Sequence, residues 1–213
     1  MTEIVTLDDT DLTEAVRLAA HGIREIPLYQ WLLGEHIGDS DKREWLARLL
    51  LRPLLRVGCV TGARSDGRLV GVLVWQPHDV DLSPGGEPPL TPADVEVAAR
   101  TPGLRERLAE LWTQPPLWSP VEDAVNCTLT TVEPGGRGGR TLIDMMRVVE
   151  RYCAERDRPF YAWTGSPELR DWFVAGWAAE PFATTDWHGR TMYGVLSGRP
   201  PVPAAVPRER DAV

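Results

Sequence analysis

The segment Leu69-Val70-Gly71-Val72-Leu73-Val74-Trp75 is nearly all apolar. A strand with one wet face alternates apolar and polar residues, so an unbroken run belongs in the middle of a sheet, covered on both faces. A β-type run from Val57 to Thr61 precedes it, and Arg64-Ser65-Asp66-Gly67 joins the two, the Asp-Gly pair marking a hairpin turn. The chain must therefore build a covered sheet, and the rest of the sequence supplies the covering.

Upstream, Glu3 to Leu7 reads as a short strand. Asp11 with Glu14 reads as a capping box for a helix whose stripe is Leu12, Ala15, Val16, Ala19 and Ile23, and Pro27 breaks that helix. A second helix runs from about Ser40, with Trp45, Leu46, Leu49 and Leu50 at helical spacing. Residues 76–120 change texture: a loop at Ser83-Pro84-Gly85-Gly86-Glu87-Pro88-Pro89, then helical pieces from Thr91 and from Leu104 to Trp112, split by Pro102-Gly103. This stretch is too short to bury its own core and reads as an insert or lid. A strand from Asp123 to Val132 follows, then the loop Pro134-Gly135-Gly136-Arg137-Gly138-Gly139. The next helix has Leu142, Met145, Met146, Val149, Tyr152 and Cys153 on one face. Pro159 to Thr164 is a buried strand, and Glu168 to Ala175 a helix ended by Gly176. Two last strands, Phe182 to Trp187 and Arg190 to Leu196, are joined by His188-Gly189. The predicted order is β α α β β, insert, β α β α β β, one domain over residues 1–197 with a disordered, proline-rich tail over 198–213.

Composition narrows the function. The 213 residues carry a net charge of −8, which argues against a sequence-blind grip on nucleic acid phosphates. Cys59, Cys127 and Cys153 show no spacing of a metal site or disulfide framework, and the four histidines form no metal-type pair, so no metal is expected. No apolar run is long enough to span a bilayer, and Met1-Thr2-Glu3 does not open an export leader, so a reduced, cytoplasmic protein without a membrane partner is expected. Nine tryptophans are unusual, because a large side chain with an N–H to satisfy is a costly core filler.

The loop after the fourth strand carries the chemistry. A helix N-terminus leaves backbone N–H groups unpaired and favours an anion, and glycines let the chain wrap a phosphate closely. Arg137 and Arg140 add positive charge in an acidic chain. A glycine cluster by itself also reads as a plain loop; its place between an apolar strand and a helix is what favours a phosphate site.

The order of elements and this motif together resemble the GNAT-type (GCN5-related) N-acetyltransferases, over Thr2 to about Leu196. The family signature is a Val-x-Pro followed by Gln/Arg-x-x-Gly-x-Gly/Ala at the start of a helix. Here Val132-Glu133-Pro134 matches the approach and Arg137-Gly138 the start of the turn, whereas Arg140 and Leu142 stand where small residues belong. The family's tyrosine, four residues before a Gly-Phe pair, is replaced by Trp172 before Gly176-Trp177. The resemblance implies an α/β fold of the α+β type: a central mixed sheet flanked by helices, with a helical insert before the fourth strand. It implies an acyl-coenzyme A, commonly acetyl-coenzyme A, held by Thr131, Val132, Arg137, Gly138, Gly139, Arg140 and Thr141, with a backbone N–H around Thr130 to Val132 as oxyanion donor. It also implies a small amine-bearing acceptor, in a monomer or homodimer. The substituted glycines and missing tyrosine favour an alternative, a diverged scaffold that binds a small molecule or runs non-acetylating chemistry in the same cleft.

The remaining candidates stay open between two readings. Glu122, Asp123 and Asn126 at the start of the fourth strand are candidate catalytic groups, or solvated strand-end residues. Tyr193 is a candidate replacement proton donor, or a packed tyrosine. Tyr29, Trp31, Trp75 and Trp172 are candidate acceptor-site walls, with Trp112 and Trp118 as caps, or core aromatics. His78 reads as a cleft group or an exposed loop histidine, and Cys127 as a buried inert thiol or a nucleophile.

Overall fold

The computed structural model describes residues 2–203 except 84, 87, 89, 138 and 139. Pro84, Glu87 and Pro89 of the predicted loop, Gly138 and Gly139, and the tail beyond residue 203 lie outside the described residues.

Seven strands form one sheet: β1 (Thr2–Thr6), β2 (Val60–Ser65), β3 (Arg68–Gln76), β4 (Val125–Val132), β5 (Phe160–Thr164), β6 (Glu180–Trp187) and β7 (Arg190–Leu196). Their order is β1-β2-β3-β4-β5-β7-β6. All neighbours are antiparallel except β4 and β5, which are parallel. The helices are α1 (Leu12–Ile23), α2 (Pro27–Leu33), α3 (Ser40–Arg56), α4 (Pro92–Arg100), α5 (Leu104–Thr113), α6 (Thr141–Glu155) and α7 (Pro167–Trp177).

The apolar run Leu69 to Trp75 is interior β3, and Asp66 and Gly67 both adopt positive φ in the hairpin before it. Helices cover both faces. A Cβ at Gly71 would touch Met145 of α6, whereas Thr131, which pairs with the next residue Val72, packs against Gly22 of α1. Neighbouring residues of a strand point to opposite faces, so α1 and α6 lie on opposite sides of the sheet. Met145, Met146, Val149 and Cys153 are buried on α6, and Ala15, Val16, Ala19 and Ile23 on α1, as their periodicity predicts.

Several local expectations are corrected. The capping box is formed by Asp8 and Asp11 around a 3-10 turn, while Glu14 accepts a bond from the Leu69 N–H (2.9 Å) and pairs with Arg64 (2.9 Å). Pro27 ends one helix and opens another, α2, because proline at a first helical position forfeits no intrahelical bond. Strand β2 starts at Val60 because α3 runs to Arg56 and exits through Gly58 at φ 70°. Helix α7 continues through Gly176 to bury Trp177 against Phe160 and Phe173, and Ala178 takes the left-handed conformation at its end. At the start of the tail, Arg199 pairs with Asp123 and donates to the Asp157 carbonyl (2.7 Å). Among the described residues no helix is long and apolar enough to cross a membrane.

Candidate active site

The site arises where the parallel pair β4 and β5 stops pairing. Val125, Asn126 and Cys127 pair with Phe160, Tyr161 and Ala162; beyond them β4 continues to Val132 and β5 to Thr164 without a shared ladder. A β-bulge sits at the parting. Val74 faces Leu129 and Trp75 faces Cys127, so Thr128 is the extra residue on β4. Bulges bend a strand and increase its twist, which steers β4 away from β5. The Thr128 carbonyl has the Tyr29 hydroxyl 3.5 Å away.

The wedge between the strands is a cavity of about 370 Å³. Thr128 to Thr130 of β4 form one wall, and Ala162 to Ser166 at the end of β5 the other. Residues 25–28, the corner between α1 and α2, close a third side. Gly165 is required there, because a Cβ on it would lie 2.8 Å from a Pro27 ring carbon. A second hollow of about 220 Å³ lies toward the glycine-rich loop, lined by Thr131, Val132 and Gly136 among others. The two hollows share Glu25, Ile26, Thr130, Arg137 and Leu142 and form one cleft from loop to wedge.

Polar groups in the cleft are few. Arg137 donates from Nε to the Val132 carbonyl (3.1 Å), and its Nη1 lies 2.8 Å from the Glu25 carboxylate. The hydroxyls of Thr130 and Thr131 are buried without partners. Helix α6 begins beside the loop with Arg140 as N-cap and no side-chain capping bond, leaving its first N–H groups to an anion. Arg140 is 86% exposed on its side chain and reaches Asp144 only at 3.9 Å. Thr141 opens α6 next to Gly136, and Leu142 sits in both hollows. Of the predicted carrier-binding residues, Thr131, Val132 and Arg137 line the cleft, and Arg140 and Thr141 stand at the helix start beside it.

The wedge itself gathers different residues from those the sequence suggested. Asp123 precedes β4 at its paired end, about 16 Å of strand from Thr128 at about 3.3 Å per residue. Its carboxyl is held below the usual range by the hydrogen bond from Arg199. Glu122, beside it, is exposed. Asn126 alternates with Cys127, which lines the wedge, so its side chain lies on the other face, where its buried carbonyl oxygen lacks a partner. Tyr193 alternates with the lining residue Met192 in the same way, and its ring stacks under Arg170 (4.6 Å). Trp75 is buried against Tyr152 of α6, donating to the Thr61 hydroxyl (3.2 Å); Leu73, two residues earlier on the same face, lines the wedge instead. Trp172 packs on Trp177, while Leu169 and Phe173 carry the face of α7 that meets the wedge. Trp31 stacks on His188 at the tip of the β6–β7 hairpin (4.8 Å). Tyr29 is buried, and burial pushes its hydroxyl pKa up. Trp118 is exposed and Trp112 lines a separate cavity. His78 lies beside Asp79 (3.8 Å) and does not line the cleft. Burial pushes the Cys127 thiol well above its ordinary range, which makes it a poor nucleophile.

Glu25 is the acidic residue that lines the cleft, and no periodicity singled it out. Its one signal is position, two residues before the proline that turns the chain. Among the described residues no cluster of three or more histidine, cysteine or acidic side chains is arranged to hold a metal.

A seven-stranded mixed sheet whose parallel pair opens beside an uncapped, glycine-led helix defines an architecture, that of the GNAT-type acetyltransferases. Comparison with solved structures shows that this chain has it. An acetyltransferase related to histone acetyltransferase HPA2 from Corynebacterium glutamicum superposes with a TM-score of 0.65 at 13% identity, covering 96% of this chain and 99% of the other. The polyamine N-acetyltransferase of Drosophila melanogaster, which forms N-acetylagmatine, gives 0.57 at 16% identity, covering 92% and 99%. A mosquito putative arylalkylamine N-acetyltransferase from Aedes aegypt gives 0.59 at 13% identity, covering 92% and 86%. No protein-family model and no curated protein sequence matches the chain.

Proposed function

We propose that the chain is an acyl-coenzyme A-dependent N-acyltransferase, acetyl being the simplest acyl group, acting on a small cationic amine. The observation that carries this reading is the continuous cleft from the start of α6 to the opened β4–β5 wedge. The described residues fit the carrier. A pyrophosphate would meet the free N–H groups of α6 with Arg137 and Arg140 as counter-charges, and a narrow polar arm would lie along β4, where Thr130 and Thr131 have unpaired buried hydroxyls. When bound, the carrier supplies a thioester activated for attack by an amine.

The chain's own groups then have separable tasks. The backbone of β4 beyond the bulge, released from pairing with β5, presents donors that need no reorganisation as charge develops on a carbonyl oxygen. Glu25 holds the ammonium of the acceptor and takes its proton, directly or through one water. The walls from Leu73, Leu129 and Phe173 exclude water and strengthen these interactions. The acidic balance of −8 draws a cationic acceptor toward the cleft. The similar solved structures named for polyamine and arylalkylamine acetylation support an amine acceptor.

The alternative, a scaffold that binds a small molecule without acyl transfer, rests on Leu142 and Phe173. Leu142 projects where the carrier's phosphates would pass, and α7 offers the wedge a phenyl ring with no proton to give. Thiol release separates the readings. With acetyl-coenzyme A and agmatine, spermidine or tryptamine, a transferase releases free coenzyme A in an amine-dependent manner. Absence of release with every amine, alongside saturable carrier binding, would favour the scaffold.

A further inference from the structure

The tip of the β6–β7 hairpin is fastened to two distant parts of the chain. Asp186 accepts from the Gly189 N–H (3.1 Å) to close the turn, and His188 adopts positive φ (49°). The His188 ring lies nearly parallel to the Trp31 indole of α2, with 4.8 Å between centroids and 17° between planes. Its Nε2 lies 2.7 Å from the Glu110 carboxylate of α5, in the insert. Trp187 packs edge-on against both rings, 5.4 Å from Trp31 and 4.8 Å from His188.

Helix α2 needs such a hold. It is seven residues long, has no side-chain cap at its start and ends at Gly34 with φ 56°. A helix of that length is marginal in water without tertiary contacts. Leu28, Tyr29, Leu32 and Leu33 face the core, whereas half-buried Trp31 faces the hairpin. The helix is tied to the insert by Arg107, which donates from Nε to the Leu32 carbonyl (2.6 Å), and by the chain Trp31, His188, Glu110. Pro27 and Leu28, one turn before Trp31, line the wedge and not the hollow toward the glycine-rich loop. What fixes Trp31 therefore fixes a wall of the acceptor end and leaves the carrier end alone.

We propose that His188 is a positioning residue for this wall, clamping α2 through Trp31 and gripping harder when protonated. The consequence for the acceptor rests on the acyltransferase reading; the clamp itself does not. Histidine is the side chain that ordinarily changes charge between about pH 5 and 8. A cationic imidazole gains a cation–π attraction to the indole face, and its bond to Glu110 becomes charge-assisted. The other charged groups at the tip are occupied by backbone. Asp186 holds the Gly189 N–H, and Arg190 donates to the His188 carbonyl (3.4 Å). On α5, Arg107 is taken by the Leu32 and Pro102 carbonyls, and Glu106 lies one turn before Glu110; α2 carries no charged residue.

The test is hydrogen exchange of the full chain, read by mass spectrometry, together with thiol-release kinetics. His188→Asn is the main variant, since asparagine also accepts positive φ in a turn and the hairpin is kept. At pH 6 the α2 amides should exchange about tenfold faster in His188→Asn than in the parent, the combined worth of the two interactions. At pH 8 the ratio should fall to about threefold, that of a neutral aromatic stack. Taking variant over parent at each pH cancels the intrinsic pH dependence of exchange. Glu110→Gln, which keeps the stack and removes the charge partner, should lose protection mainly at pH 6. With whichever amine releases thiol, His188→Asn should raise the amine KM several-fold and leave kcat and the acetyl-coenzyme A KM unchanged. If no amine releases thiol, the acyltransferase reading fails and exchange alone decides the clamp. The clamp is overturned if α2 exchanges alike in variant and parent, or if the ratio is the same at pH 6 and pH 8. It is overturned as a positioning device if kcat or the acetyl-coenzyme A KM moves while the amine KM does not.

Discussion

Alanine at Gly22 should destabilise this protein, although in an ordinary helix interior it would stabilise by about 1 kcal/mol. Gly22 lies near the end of α1, where the helix crosses β4. A Cβ built there would lie 2.1 Å from the Thr131 hydroxyl oxygen, 2.7 Å from its methyl carbon and 2.9 Å from its Cβ. Even weak carbon–oxygen contacts sit at about 3.3–3.6 Å, so helix and strand must separate by about 1 Å. Rotating Thr131 does not relieve the contact, because its Cβ is itself too close. Overpacking of this kind costs about 1–3 kcal/mol and can exceed that where backbone must move, so a net loss of about 2 kcal/mol is expected, or about 4–8 °C in melting temperature for a domain of this size. Urea denaturation checks it. Thr131→Ala alone should change stability little, since its buried hydroxyl makes no hydrogen bond. Added to Gly22→Ala it should recover about half the loss, a coupling of about 1 kcal/mol. If Gly22→Ala proves as stable as the parent, the packing of α1 on β4 is misread.

Other outcomes follow from the same geometry. The Leu69 N–H bond and Arg64 hold the Glu14 carboxyl below its ordinary pKa. The stability it contributes is present above the unfolded pKa and is lost as pH falls through the folded value, so Glu14→Gln should cost about 1–2 kcal/mol at pH 7 and progressively less as pH falls below the ordinary glutamate range, in denaturation curves across pH. Removing its partner by Glu25→Gln should free Arg137 and tighten coenzyme A several-fold in calorimetry, while lowering turnover of a cationic amine. Arg140→Gly should weaken coenzyme A several-fold in calorimetry by removing a counter-charge to the pyrophosphate; tighter binding would show that Arg140 only narrows the loop. Phe173→Tyr places a phenol in the wedge and should raise kcat about tenfold with KM unchanged in the thiol-release assay, less than the roughly 100-fold or more of a fully positioned acid.

The parts of the fold that depend on contiguous residues are legible in the sequence. The apolar run at Leu69 to Trp75, the Asp66-Gly67 turn and the α6 stripe each express a local period, and each occurs as read. The glycine-rich loop is legible for the same reason, and it leads to the cleft. The wedge residues are not, because their orientation depends on one-residue differences that tertiary packing decides. Phe173 and Trp172 are neighbours on α7, yet about 100° apart around it, and only one meets the wedge. Met192 and Tyr193 differ by the pleat of a strand. The bulge at Thr128 leaves no residue signature, though it marks where β4 leaves β5. The tryptophans mislead in a physical way: a large apolar ring with one donor suits a ligand wall and a core corner equally. Trp75 and Trp177 occupy core corners, with hydrogen bonds to Thr61 and Glu150. Glu25 is hidden because a lone acid between two helices resembles any solvated turn.

The central claim is that the cleft from α6 to the β4–β5 wedge holds an acyl-coenzyme A, and calorimetric titration of the purified chain with acetyl-coenzyme A tests it most directly. Binding with a micromolar dissociation constant, lost in Arg137→Glu while the folded circular-dichroism spectrum is kept, is the expected result. No detectable binding at millimolar acetyl-coenzyme A, or binding indifferent to Arg137→Glu, would contradict it.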